Sequence, residues 1–316
     1  MEASSFAEYF DRLLDKLGLG AVRGTWEEGT IEAEGTRLLV VTWAAGWGAP
    51  TVVFIPGTAV YALAYGELLH ALWKEGFNVV SFDPRGQGRS GGGRGDYTIR
   101  EHVADARAMC RFARERFGGP VFVMGSSQGG IESFYLAATD EPVAGCICHN
   151  IADLPSPASL RLTRLGPSRK VAGWWITRMI ARVGVAMIVL LSRLFPRLQL
   201  PIGLYLDLKK EPMRVFGNAW EFIRQDPLAL KSISLRAFAS IASTPLPRPI
   251  GAIRTPILVL HSSGDNIFPQ DYIEDIFHQL TCPKALKIYP NLPHLITIEH
   301  VAEILPDVAG WIKSRI

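Results

Sequence analysis

Hydrophobic residues along this chain fall into two alternating patterns. Short runs are apolar at nearly every position: 51–55, 77–82, 120–124, 143–148 and 256–261. Between several of them, the segments 61–74, 98–117 and 131–138 space their apolar residues at helical intervals. A run with no polar alternation suits a strand covered on both faces. Such strands alternating with longer helices predict a mostly parallel sheet flanked by helices, an α/β fold. Ahead of this pattern, 6–17 reads as an amphipathic helix. Segments 30–33 and 37–44 read as antiparallel strands around a turn at Glu34-Gly35.

The pattern lapses in the middle. From Asp153 to Ile250 strand signal is scarce, and helices are predicted around 170–195 and 213–224. The rhythm then resumes with the strand 256–261, a helix at 270–280, a strand at 285–289 and a last helix at 301–312. The organisation expected is a core in two parts, 1–152 and 251–316, with a helical insertion at 153–250. The insertion is expected to form a lid over the carboxyl ends of the strands, where ligands bind in such sheets.

Composition narrows the classes. The 316 residues are 48% hydrophobic and 20% charged, which suits a sizeable globular core. A net charge of +3 gives no reason to expect nucleic acid as a partner. The four cysteines, Cys110, Cys146, Cys148 and Cys282, lack metal-ligand spacing, and nothing demands disulfides. No metal and no organic cofactor is expected. The first residues lack a basic region followed by an apolar stretch, so no signal peptide is read and a cytoplasmic location is expected.

Candidate chemistry centres on Gly125-Ser126-Ser127-Gln128-Gly129, between an apolar strand and a helix. This is the G-x-S-x-G order of a nucleophile elbow, with Ser127 at the apex of a tight turn. A serine hydroxyl needs a histidine to take its proton and an acid to orient that histidine. Asp265 follows the strand 256–261, and His294 follows the strand 285–289. Both fall at strand ends on the elbow side, and Ser127, Asp265 and His294 follow the chain order of this architecture. The oxyanion of acyl transfer needs two donors. The Gln128 amide is one, immediately after the nucleophile. The loop after 51–55 supplies the other, from Thr58 or alternatively Ala59, since Pro56 has no N–H.

These motifs, together with Asp83-Pro84-Arg85-Gly86-Gln87-Gly88-Arg89-Ser90, Gly264-Asp265-Asn266-Ile267-Phe268-Pro269 and Leu292-Pro293-His294, resemble the α/β-hydrolase superfamily. The closer resemblance is to serine hydrolases that include monoacylglycerol lipases, lysophospholipases and serine aminopeptidases. It implies an α/β-hydrolase fold and a Ser127–His294–Asp265 triad. It gives the 83–90 stretch a part in shaping the site but no catalytic acid. The usual His-Gly after the first central strand is Pro56-Gly57 here, a departure that bears on the second oxyanion donor.

The insertion speaks to substrate. From Leu154 to Leu206 there is no acid, but there are eight basic residues, Arg161, Arg164, Arg169, Lys170, Arg178, Arg182, Arg193 and Arg197, among many apolar ones. One reading is a helix packed on the domain with solvated arginines. The other is an apolar acyl-chain mouth with a basic rim, its pocket lined by His149, Trp174, Trp175 and Met179. Transient contact with an anionic lipid surface would follow. The uncharged run between Arg182 and Arg193 is ten residues, against roughly twenty for a membrane span. The expected partner is a small-molecule acyl ester, monoglyceride- or lysophospholipid-like. Amide or peptide hydrolysis, carbon–carbon hydrolysis with the same triad, and noncatalytic lipid binding are the alternatives.

Overall fold

The computed structural model describes residues 3–164 and 175–316. Eight strands, β1 (Glu27–Ala33), β2 (Thr36–Trp43), β3 (Thr51–Ile55), β4 (Asn78–Phe82), β5 (Val121–Ser126), β6 (Gly145–His149), β7 (Ile257–Ser262) and β8 (Lys284–Tyr289), form one sheet. Their order is β1-β2-β4-β3-β5-β6-β7-β8. β2 pairs antiparallel with β1 and β4, and every other neighbour is parallel. This is the α/β-hydrolase fold. Every residue of β3, β4, β5, β6 and β7 is buried, as their continuous apolar runs predict. The first hairpin closes through Glu34 and Gly35, both with positive φ (48° and 72°). That is the two-residue turn whose twist matches its strands.

Helices α1 (Ala3–Leu17), α2 (Gly66–Lys74), α3 (Ile99–Phe117) and α4 (Gln128–Ala137) belong to the first half of the core. Thr98 caps α3 as its sequence predicts, accepting the Glu101 amide at 3.2 Å. The Thr98 hydroxyl donates to the Glu101 carboxylate at 2.9 Å, so the capping pair is linked through its side chains.

Between β6 and β7 lies the inserted helical region. It holds α5 (Trp175–Leu194), α6 (Ala219–Gln225) and α7 (Leu235–Ser243), with two short antiparallel strand pairs. The helix predicted at 170–195 corresponds to α5, and its first residues, 170–174, lie outside the described residues. The helix predicted from 213 begins later, at Ala219, because Met213 pairs with Gly217 and Asn218 then caps the Glu221 amide. Helix α7, nine residues capped by Ser234, had no counterpart in the sequence reading. The fold closes with α8 (Gln270–Gln279), the short α9 (Ile296–Glu299) and α10 (Val301–Lys313). The core is one continuous apolar body around the sheet. Helix α5 stands apart from it: Ala181 is its one buried residue.

Candidate active site

Ser127 sits between β5 and α4 with φ 55° and ψ −117°. A non-glycine residue held there costs about 1–3 kcal/mol and persists only where its surroundings enforce it. The surroundings are close-packed backbone. A Cβ on Gly125 would lie 2.0 Å from the Gly129 carbonyl oxygen, and one on Gly129 2.1 Å from that of Ile55. The start of α4 is thus pressed onto β3 and β5, and the Ser127 amide is pinned to the His149 carbonyl at 3.0 Å.

The two partners arrive from the second part of the core. His294 Nε2 is 2.9 Å from Ser127 Oγ, and His294 Nδ1 is 2.7 Å from Asp265 Oδ2. Asp265 is anchored at its other oxygen by the amides of Ile267 and Phe268, at 2.8 and 2.9 Å. Burial alone would favour a neutral Asp265. The nearby His294, the hydrogen bond to it and the Phe268 amide win instead and hold the carboxyl well below its usual range. Burial also opposes charge on His294. Asp265, its hydrogen bond and then Glu211 outweigh that and raise the imidazole above its ordinary value. Both directions favour a carboxylate that steadies an imidazolium.

A second layer of polar groups had no sequence signal. Asn150, at φ 71°, donates to Asp265 Oδ2 at 2.9 Å, and its carbonyl oxygen meets His261 Nδ1 at 2.7 Å. Glu211, fully buried in the inserted region, accepts the His294 amide at 3.0 Å through Oε2. Its Oε1 has no hydrogen-bond partner among the described residues. Burial raises the Glu211 pKa, opposed by His294. The acidity of this carboxyl is therefore tied to the catalytic-looking histidine through space as well as through the amide.

On the other side of Ser127, the Thr58 hydroxyl donates to Gln128 Oε1 at 2.7 Å, and Tyr97 donates to the same oxygen at 3.0 Å. Gln128 Nε2 reaches Glu132 at 2.8 Å, and Glu132 meets His102 Nδ1 at 2.8 Å. The residues chosen as oxyanion donors are thereby tied together by side chains. Their backbone positions flank Ser127, and Gln128 is the first residue of α4, where helix amides lack internal partners.

Two cavities meet at Ser127. The larger, of about 670 Å³, is lined by Thr58, Gln128, Phe238 and one face of α5, Thr177, Ile180, Ala181, Gly184, Val185 and Ile188. Among the described residues, none of its lining side chains carries a charge. The smaller, of about 50 Å³, is lined by His294, Tyr65 and aliphatic residues of the insertion. His149, Asp265 and His294 also offer ligand-type atoms within 4.8 Å of one another. Two of these three already hydrogen-bond to each other, so the grouping is the hydrogen-bonded chain itself.

Residues 49–300 match the family model described as serine aminopeptidase, S33. The chain belongs to this family of α/β-hydrolases. It is 23% identical over 283 residues to a non-heme chloroperoxidase of Streptomyces lividans, covering 89% of this chain and 98% of that protein. It is 25% identical over 291 residues to a monoacylglycerol lipase of Mycolicibacterium smegmatis, covering 89% and 95%. Among solved structures, the monoacylglycerol lipase of Paleococcus ferrophilus superposes with a TM-score of 0.67 at 25% identity, covering 88% of this chain and 99% of that one. These matches make the hydrolase a serine-hydrolase-type enzyme of the esterase kind.

The structure of this hydrolase brings Ser127, Asp265, His294, Gln128 and Thr58 together at one point. Ala59 lies in the same loop with φ 72°. The residues selected for the pocket are placed differently. His149 is fully buried behind the site, its Nδ1 3.2 Å from Ser126 Oγ and its ring 5.2 Å from that of His294. Burial and the neighbouring His294 keep it neutral. Trp175 and Met179 point outward from α5, 71% and 50% exposed, while the cavity-facing stripe starts at Thr177. Trp174 lies outside the described residues. Helix α5 carries apolar residues on both its cavity face and its outer face, so periodicity could not tell which of the two meets the cavity.

Proposed function

We propose that this hydrolase cleaves carboxylic esters through a Ser127-bound acyl intermediate, with a medium or long acyl chain in the larger cavity. The observation that carries this reading is the Ser127–His294–Asp265 hydrogen-bonded chain opening onto a cavity of about 670 Å³ whose lining is uncharged among the described residues. That volume lies within the roughly 300–1,000 Å³ typical of small-molecule sites. Each methylene buried there contributes roughly 0.8 kcal/mol.

In acylation, Ser127 Oγ attacks the carbonyl carbon as His294 Nε2 takes the hydroxyl proton, and Asp265 steadies the imidazolium. The Gln128 amide, with that of Thr58, meets the developing oxyanion. Collapse breaks the bond to the alkoxy oxygen, which leaves as the alcohol with the proton from His294. A water molecule then gives a proton to His294 and adds to the acyl carbon, and the Ser127 oxygen departs with that proton. The family description names an aminopeptidase activity, which requires a site for a peptide amino group. Among the described residues the larger cavity offers no carboxylate for one, and this favours the ester.

The same reading gives α5 a part as a lid and as a contact with lipid. Its outer face exposes Trp175, Met179, Val183, Met187 and Leu190. Arg178, Arg182 and Arg193 are exposed beside them and form no ion pair among the described residues. Apolar residues flanked by unpaired arginines suit an anionic lipid surface. The buried, unpaired cysteines suit a reducing compartment, so we place the enzyme in the cytoplasm with peripheral attachment.

Labelling with a fluorophosphonate and turnover of ethyl esters from acetate to decanoate, followed by titration of released acid, test this. Ser127 should be labelled, Ser127→Ala should abolish both readouts, and decanoate should be preferred. Unlabelled Ser127, or a preference for acetate, would sink the proposal.

A further inference from the structure

We infer that the alcohol released by this hydrolase is small and apolar, of methyl or ethyl size, and that polyol esters such as acylglycerols are disfavoured. This rests on the ester reading above and names the half of the substrate which that reading leaves open.

The route of the proton decides which cavity takes which half. The departing alkoxy oxygen must receive its proton from His294 Nε2, so it leaves on the histidine side of Ser127. His294 lines the smaller cavity and is absent from the lining of the larger one, which instead carries Gln128, the oxyanion-side residue. The acyl chain therefore runs into the larger cavity and the alcohol into the smaller. At about 50 Å³ against about 670 Å³, the smaller one offers far less room than the larger. That admits a methyl or ethyl group and crowds a three-carbon polyol.

Past Ser127, this cavity is walled by Val60, Ile202, Leu208, Met213, Phe222 and Ile223, all of them buried. Its few polar side chains already have partners. Tyr65 accepts the Gly57 amide at 3.0 Å. Ser126 Oγ is 2.6 Å from Thr297 Oγ1 and also meets His149. The Thr58 hydroxyl is committed to Gln128, and His294 to Asp265 and Ser127. The hydroxyls of a glycerol group would be buried largely against hydrocarbon, beside polar side chains already bonded to one another. A buried polar group without a partner loses roughly tenfold or more in binding.

The test holds the acyl chain constant and varies the alcohol. Methyl, ethyl and butyl decanoate and 1-decanoylglycerol are compared on the intact wild-type enzyme in one detergent, by titration of the acid released. The expected result is kcat/KM for ethyl decanoate about a hundredfold above that for decanoylglycerol, with two hydroxyls left unpaired. Decanoylglycerol cleaved within threefold of ethyl decanoate overturns the inference while leaving the ester hydrolase standing. If no decanoate ester is cleaved although Ser127 is labelled by fluorophosphonate, the acyl-ester reading itself fails and this inference falls with it. Enlarging the cavity with Ile223→Ala should move the butyl-to-ethyl ratio of kcat/KM upward by about tenfold. An unchanged ratio in a folded variant counts against the assignment of this cavity to the alcohol.

Discussion

Ser127 stands on a wall of the larger cavity with His294 and Asp265 hydrogen-bonded behind it, and each side chain of this proposed triad is held by two or more hydrogen bonds or by close-packed backbone. Across the cavity, α5 has one buried residue in twenty and presents large apolar side chains to solvent. The contrast separates two demands. A nucleophile must be held to within a fraction of an ångström, which requires directional bonds and dense packing around it. An acyl chain has no directional preference, so its wall needs only apolar surface on one side, and the other side is free to meet something else. Position is fixed on the first wall and selection on the second.

The largest effect should come from the first wall. Asp265→Asn should lower kcat by about ten-thousandfold with little change in fold, because the amide favours the wrong imidazole tautomer. Steady-state kinetics beside circular dichroism would measure it, and a loss under tenfold would break the proposed division of labour. A smaller effect should come from the outer face of the second wall. Replacing Met179, Met187 and Leu190 together by serine should leave turnover of a dissolved short ester within about twofold. Binding to vesicles containing anionic lipid should weaken by about tenfold or more, since three apolar contacts are lost. Equal losses in both assays would show that the outer face also serves the chemistry.

The pH profile sharpens the first wall further. His294 must be neutral to accept the serine proton, and its folded-state pKa is raised. Activity should therefore fall as pH drops through a value above the ordinary 6.5 of histidine. Glu211→Gln keeps an acceptor for the His294 amide and removes the nearby charge. The acid limb of kcat/KM should then move to lower pH, with kcat on its plateau changed only a few-fold. An unmoved limb would mean that Glu211 acts on His294 through the amide alone. The smallest effect should follow Thr58→Val, which deletes one of the two hydroxyl donors to Gln128 Oε1. A kcat decrease of about three- to tenfold is expected from the loosened support of the oxyanion donors.

What could be read from sequence depended on how local each signal is. β3 and β7 are legible because a strand buried on both faces writes a continuous apolar run into adjacent positions. The elbow is legible because Gly125, Ser127 and Gly129 meet one steric need within five residues, and Asp265 and His294 because each directly follows such a strand. Glu211 and Asn150 show no such pattern: their partners are 83 and 115 residues away, and only the closed fold brings them together. Helix α5 was legible as a helix but not in its orientation. Its apolar side is broad enough to include both the cavity face and the exposed face, so the pattern does not say which of them turns inward. Trp175 and Met179 were therefore assigned to the cavity although they face outward.

The Glu211–His294 contact also governs how this enzyme can be rebuilt. Glu211 belongs to the inserted region, whereas His294 belongs to the loop after β8. The insertion is therefore not an interchangeable cover. A chimera whose insertion lacks this acceptor would leave the buried backbone amide of His294, the proposed base, unpaired, and its rate should drop even if the new cavity suited the substrate. A successful graft has to bring a carboxylate or amide side chain to the position of Glu211. An inactive chimera should be examined for that missing partner before its new cavity is blamed.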